Sequence, residues 1–228
     1  MSSPRDTQRH TKAKTQRIIK DPRRKAVLEA KNAIDQFDLA LRMIEHWNAQ
    51  PARFRLETSH ILQLHKTALD GLDVFAGTFR NGHVEIGKSK HVPPDAFRVA
   101  SLVTEMCDYV NKMWKRKPAM HLCSYVMWRL NWIHPFSDGN GRTTRAIAYV
   151  VLCAKLGYRL PGQVTVPELI AANKTPYYKA LERADQAEKK NLVGVSAMEN
   201  LLSDLLAKQL YQPSLIRTHA PSRAVRWT

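Results

Sequence analysis

Apolar residues recur at spacings of three and four along most of the chain, and this pattern predicts a series of amphipathic helices. The first runs from about Asp21 to about Asn48, with Val27, Ala30, Ile34, Phe37, Leu41 and Ile44 as its stripe. Asp21 serves as N-cap, Pro22 takes the first helical position, and Pro51 closes the segment. A second helix, capped by Thr58 or Ser59, turns Ile61, Leu64, Ala68 and Leu69 inward and ends near Gly71. A third starts at Pro94 and Asp95 and carries Val99, Leu102, Val103, Met106, Val110 and Met113. Residues 119–133 and about 142–156 form two strongly apolar helices, expected to be the innermost pair, with Gly157 as the stop. Thr165 with Glu168 opens a short helix through Ala172, and further helices cover about 176–191 and 195–211.

The period changes in one place. Asn81-Gly82 followed by the alternating His83-Val84-Glu85-Ile86 predicts a hairpin, with a second strand through Lys88 to Val92 before Pro93-Pro94. An isolated two-stranded hairpin is marginal, so it has to lean on the helices. The fold class is therefore all-α, with one small β-hairpin at about 79–92. The expected organisation is a basic, disordered arm at 1–20, an N-terminal helix at 21–52, a core at 53–191, a C-terminal helix at 192–212 and a flexible tail at 213–228.

Between the two innermost helices lies the polar stretch His134-Pro135-Phe136-Ser137-Asp138-Gly139-Asn140-Gly141-Arg142-Thr143-Thr144-Arg145. Proline at 135 ends the preceding helix and leaves the imidazole of His134 at its terminus. Gly139, Asn140 and Gly141 readily take unusual backbone angles, which turn successive N–H groups inward as an anion nest. The helix that follows adds its own first-turn N–H groups, and Arg142 and Arg145, three apart, share one face of it. This arrangement suits more than one phosphate group. Asp138 beside phosphates makes electrostatic sense as a ligand to Mg2+, which takes one or two protein carboxylates and fills its remaining positions with phosphate oxygens and water. His134, ordinarily titrating near ~6.5, is then the group able to accept a proton from an attacking hydroxyl. Taken singly, Asp-Gly-Asn-Gly is a turn and an Asp before a helix is a cap; their coincidence within twelve residues points to a site.

The string HPFSDGNGRTTR resembles, at every defining position, the HxFx(D/E)GNGRxxR signature of the Fic family, whose members mostly transfer AMP from ATP to hydroxyl side chains of target proteins. The resemblance implies a Fic-type helical bundle and a nucleotidyltransferase that uses Mg2+ and takes ATP as co-substrate. It makes His134 the general base, Asp138 the metal ligand and Phe136 the apolar anchor of the loop. Gly139, Asn140 and Gly141 would line the anion hole for the α- and β-phosphates, with Arg142 on the β-phosphate side and Arg145 on the γ-phosphate. The related Doc branch, whose members act as kinases, has lysine where this chain has Gly141, and the difference favours attack at the α-phosphorus. Gly77-Thr78-Phe79-Arg80 matches the G-x-[FY]-R motif that precedes the family's flap. The resemblance thus makes Val84, Glu85, Ile86 and Gly87 a flap whose edge aligns a target peptide by strand addition. Tyr177-Tyr178 resembles a YYxAL segment that borders the base pocket, which places either tyrosine near the adenine. The family's inhibitory pattern [ST]xxxE[GN] has no clean copy here. Glu29 is the nearest candidate, Glu199 a weaker one, and a separate antitoxin chain or a self-inhibitory helix stays open, as does a homo-oligomer.

Composition changes the picture little. The net charge of +16 raises nucleic-acid or membrane-surface binding as a rival class. Residues 1–25, however, hold nine Lys/Arg against Asp6 and Asp21, and residues 213–228 hold three arginines, leaving +6 for the middle. The alternatives are another phosphate-linked donor on the same loop (UTP, CDP-choline or γ-phosphoryl transfer), or a basic nucleic-acid-binding scaffold without catalysis. Three cysteines without metal-ligand spacing, and no apolar run of ~18 residues, favour a cytoplasmic protein with free thiols. Release as an effector by a specialised system stays open.

Overall fold

The computed structural model describes Arg9, Thr11, Lys12 and residues 18–211. Expectations for the rest of the N-terminal arm and for the 213–228 tail lie outside the described residues. In chain order these are β1 (Thr11–Lys12), α1 (Pro22–Ala49), α2 (Thr58–Leu69), β2 (Glu85–Ile86), α3 (Val99–Met113), α4 (Ala119–Ile133), α5 (Asn140–Leu156), α6 (Val166–Ala172), α7 (Thr175–Glu188) and α8 (Ser196–Leu210). Among the described residues no helix is long and apolar enough to cross a membrane.

The two most apolar helices, α4 and α5, pack on each other at the centre, and α1, α2, α7 and α8 pack around them. Leu122, Val126, Leu130 and Ile133 of α4, together with Ile147, Val150 and Val151 of α5, are fully buried. Burying side chains of this kind contributes about 1.5–3 kcal/mol each, so the loop joining α4 to α5 springs from the most cohesive part of the molecule. All three cysteines are buried and free; burial pushes the Cys107 thiol up to about 12.

Helix starts follow local chemistry. Asp21 caps α1 by accepting from the N–H groups of Arg23 and Arg24 at 2.8 and 3.0 Å, and Thr165 with Glu168 forms a capping box on α6. The cap of α2 is Glu57, in a reciprocal arrangement with His60, rather than Thr58 or Ser59. α3 begins at Val99, after a single tight turn over Ala96–Arg98.

Two expectations are corrected. The apolar stripe assigned to α1 is its packed face only toward the C-terminus, where Ile44 is buried and Phe37 and Leu41 pack on the core; Val27 and Ile34 are 72 % and 64 % exposed, while Asn32, Gln36, Ala40, Met43 and Trp47 are buried. The reason is polar. α2 ends against α1, and its last carbonyls need donors. Asn32 Nδ2 supplies the carbonyl of Asp70, the C-cap of α2, at 2.8 Å, and one turn on Gln36 Nε2 donates to the Leu64 carbonyl within the helix at 3.0 Å.

The hairpin at 79–92 is also different. The chain only bends at Asn81-Gly82, β2 is two residues long, and its partner is not the 88–92 segment. It pairs antiparallel with β1, Thr11 opposite Ile86 and Lys12 opposite Glu85. Residues from the arm read as disordered thus complete the ladder. Lys88 sits at a positive φ of 62°, which turns the chain away after β2.

Candidate active site

The loop between α4 and α5 is set by its two ends. His134 ends α4 in the left-handed conformation (φ 51°, ψ 58°), its N–H still bonded to the Leu130 carbonyl at 3.0 Å. Gly139 starts α5 in the same region (φ 74°). A Cβ there would meet Leu69 Cδ2 at 3.1 Å and His65 Cδ2 at 3.2 Å, so both backbone angle and space call for glycine. Asn140 closes the loop with its side chain. Its Oδ1 accepts from Phe136 N–H at 2.9 Å and its Nδ2 donates to the Phe136 carbonyl at 2.7 Å. Phe136 is fully buried, stacked on the His65 ring at 3.7 Å.

Proton positions on His134 follow from its partners. Nδ1 faces the Asn131 carbonyl at 3.3 Å, an acceptor only, so Nδ1 carries the hydrogen. Nε2 is therefore the bare nitrogen, and it accepts from the Thr11 hydroxyl at 2.8 Å. Burial holds this imidazole down to about 4, with Arg80 and His91 acting in the same direction, so it is a neutral base at pH 7.

One cavity of about 600 Å³ brings together His134, Asp138, Gly139, Asn140, Gly141, Arg142 and Arg145. Ile86, Glu29, Tyr177 and Tyr178 line it too, whereas Val84 is buried behind β2 and neither Glu85 nor Gly87 faces it. Asp138 Oδ1 accepts from Gly139 N–H at 2.6 Å and lies 3.8 Å from Arg142, which steers the carboxylate toward the helix start. Arg145 has no carboxylate partner among the described residues, although burial penalises its charge. Its guanidinium reaches back over Gly141, where an added Cβ would lie 3.1 Å from it. A cation kept this way, beside a helix N-terminus, is suited to an anion from outside.

The two tyrosines differ. Tyr177 is buried, its hydroxyl accepting from Asn131 Nδ2 at 2.6 Å. Tyr178 is half-buried beneath the Arg9 guanidinium, 4.4 Å from the ring centre, and its hydroxyl accepts from Arg9 N–H at 3.2 Å. Glu29 pairs with Lys25 at 3.4 Å on the same helix. Glu199 pairs with His121 at 2.7 Å and ties α8 to α4.

Two supporting residues had no role in the sequence reading. Arg80, 5 % exposed, donates Nε to the His134 carbonyl at 2.8 Å and Nη1 to Gly82 at 2.9 Å, and its Nη2 reaches the carbonyls of Pro94 and Ile133. In the sequence it is the last residue of Gly77-Thr78-Phe79-Arg80, and an arginine there does not by itself announce four carbonyl partners. His65, 2 % exposed, accepts from Gly77 N–H on Nδ1 at 2.9 Å and donates from Nε2 to the Asp138 carbonyl at 3.1 Å. No sequence signal distinguishes it from an ordinary helix histidine.

Burial brings the His65 ring to about 4 as well, despite the raising influence of Asp138. The two histidines set an expected stability profile. In the unfolded chain both titrate near ~6.5, so between about 4 and ~6.5 the unfolded state binds more protons than the folded one. Folding stability is then fully present above ~6.5 and declines as pH falls toward 4, by on the order of 2 kcal/mol per histidine. Urea midpoints measured at pH 7.5 and pH 5 should show the drop, and the His65 share should vanish in His65→Gln; equal midpoints would contradict the assignment.

Residues 55–152 match the Fic/DOC family profile. Over 165 residues, 71 % of this chain, the sequence is 30 % identical to "Protein adenylyltransferase Fic" of Drosophila willistoni and equally to that of Drosophila ananassae. The matched region spans 30 % and 31 % of those proteins, so the chain covers about a third of the length of the curated relatives it matches. Among solved structures, a Fic family protein from Desulfovibrio desulfuricans G20 superposes with a TM-score of 0.60 at 20 % identity, over 85 % of this chain and 54 % of that one. Fic-1 from C. elegans gives 0.59 at 20 %, over 80 % and 50 %. BepC of Bartonella tribocorum, solved with bound AMPPNP, gives 0.55 at 13 %, over 84 % and 90 %. At these identities the superpositions establish the fold.

Proposed function

The chain carries a Fic/DOC family domain over residues 55–152, and on that premise we propose that it transfers AMP from ATP to a hydroxyl side chain of a protein, with release of pyrophosphate. The observation that carries this reading is the bare Nε2 of His134, which accepts a hydroxyl hydrogen bond at the rim of a cavity that also holds the α5 N-terminus, Arg142 and Arg145.

In the proposed step the acceptor oxygen gives its proton to His134 Nε2 as it bonds to the α-phosphorus. The bond from that phosphorus to the bridging oxygen breaks, and its electron pair leaves with pyrophosphate. Nδ1, held by Asn131, keeps the ring oriented for the transfer. The first-turn N–H groups of α5 and the two arginines receive the phosphate oxygens, where charge builds on the leaving group. Mg2+ fits the donor set. Asp138 presents a half-exposed carboxylate with Oδ2 unused by the Gly139 bond, and a single carboxylate with phosphate oxygens and water is a common Mg2+ environment. When bound, the ion would neutralise phosphate charge. Gly141 supports AMP transfer over phosphoryl transfer, because the related branch whose members act as kinases carries lysine at this position.

The test supplies α-labelled and γ-labelled ATP with Mg2+ to the purified chain. Label should pass to protein from the α position alone. Transfer only from the γ position would make the chain a kinase, and transfer from UTP or CDP-choline but not ATP would replace the donor.

A further inference from the structure

The cavity holds something more specific than an empty acceptor position. Thr11 and Lys12 form the strand that completes β2, in antiparallel register, and this puts the Thr11 hydroxyl 2.8 Å from His134 Nε2. Asn140 Nδ2 donates to the same oxygen at 3.4 Å. With one donor aimed at it, the Thr11 oxygen points its own hydrogen at the imidazole, which has only a lone pair to offer there. A serine or threonine about to be deprotonated needs this geometry.

The strand is anchored two residues upstream. The Arg9 guanidinium lies over the Tyr178 ring and pairs with Glu182 of α7, and the Arg9 backbone N–H donates to the Tyr178 hydroxyl. Three kinds of contact thus fix a segment whose partners lie far along the chain, on β2, at the α4 terminus and on α7. β-Ladder hydrogen bonds set the register, Arg9 sets the position along the cleft, and the hydroxyl meets the base. Solvent-exposed basic arms do not ordinarily place a nucleophile on a buried imidazole.

We propose that Thr11 is a modification site of this protein: the chain adenylylates its own Thr11 in an intramolecular reaction. The inference rests on the AMP-transfer reading above. Thr11 Oγ bonds to the α-phosphorus of ATP, the bond from that phosphorus to the bridging oxygen breaks, pyrophosphate leaves with the electron pair, and the hydroxyl proton goes to His134 Nε2. The product is an AMP phosphodiester on Thr11. Another protein's side chain reaches His134 only after this segment has left β2, so the same segment ranks the chain's own hydroxyl ahead of foreign ones.

The experiment incubates the full chain with α-labelled ATP and Mg2+ and maps the label by mass spectrometry, beside Thr11→Ala, Thr11→Ser, His134→Ala and a lysate of added proteins. The expected result is AMP on Thr11, lost in Thr11→Ala, kept on the new serine in Thr11→Ser and absent in His134→Ala, with a fractional rate independent of protein concentration. AMP on another residue, such as Thr7 or Thr15, with Thr11 unmodified would overturn the site. A rate proportional to concentration would overturn the intramolecular route. Label on added proteins with none on the chain itself would overturn this inference and leave the AMP-transfer reading standing. No label on any protein in wild type or variants would overturn both.

Discussion

Replacing His134 with alanine is expected to lower AMP transfer by on the order of 10²–10⁴, because the acceptor hydroxyl then loses its proton only to water. The effect should fall on turnover rather than on nucleotide binding, since Nε2 faces the acceptor hydroxyl and the phosphates belong to α5 and its arginines. Position 134 has a positive φ, so alanine there carries some backbone strain. His134→Asn, which tolerates that conformation, separates strain from chemistry. Both variants should bind ATP as wild type does by calorimetry and fail in transfer of α-label. Wild-type turnover in either would remove the imidazole from the reaction.

The largest loss of stability is expected at Arg80. The carbonyls of Gly82 and Pro94 receive this guanidinium near the surface, but those of Ile133 and His134 receive it in a buried place, where water cannot replace it without entering the core. Arg80→Ala leaves them unpaired; at about 1–3 kcal/mol for an unsatisfied buried group, and less than additively, the cost is on the order of 4 kcal/mol. Arg80→Lys should recover only a fraction, because one ammonium on a flexible stem cannot replicate a planar fork reaching carbonyls on both sides. Urea unfolding followed by circular dichroism measures the shift in midpoint. A loss below about 1 kcal/mol in Arg80→Ala would mean the carbonyls find other donors.

The helices and their joining loop were legible because each rests on local chemistry. α4 stops where proline follows His134, and α5 starts where glycine permits a left-handed angle. What the sequence hid depends on meetings between distant segments. Alternation at 83–86 does announce a strand, but nothing nearby says that its partner lies at 11–12, some seventy residues upstream in a stretch that reads as a polar tail. The packed face of α1 was hidden for a related reason. Periodicity marks the apolar residues, yet amide side chains at 32 and 36 turn inward to meet the Asp70 carbonyl at the end of α2 and the Leu64 carbonyl within it. His65 is the same case, its role being written in Gly77 and Asp138.

The mixed face of α1 grades the helix from end to end. Toward its C-terminus, Ala40, Met43, Ile44 and Trp47 are sealed in hydrocarbon. Toward its N-terminus the attachments are buried amide-to-carbonyl bonds from Asn32 and Gln36, and that is the half carrying Lys25 and Glu29 into the cavity wall. One end of α1 is therefore held by hydrocarbon and the other by directional polar bonds, so the cavity wall takes its position from specific donors and acceptors.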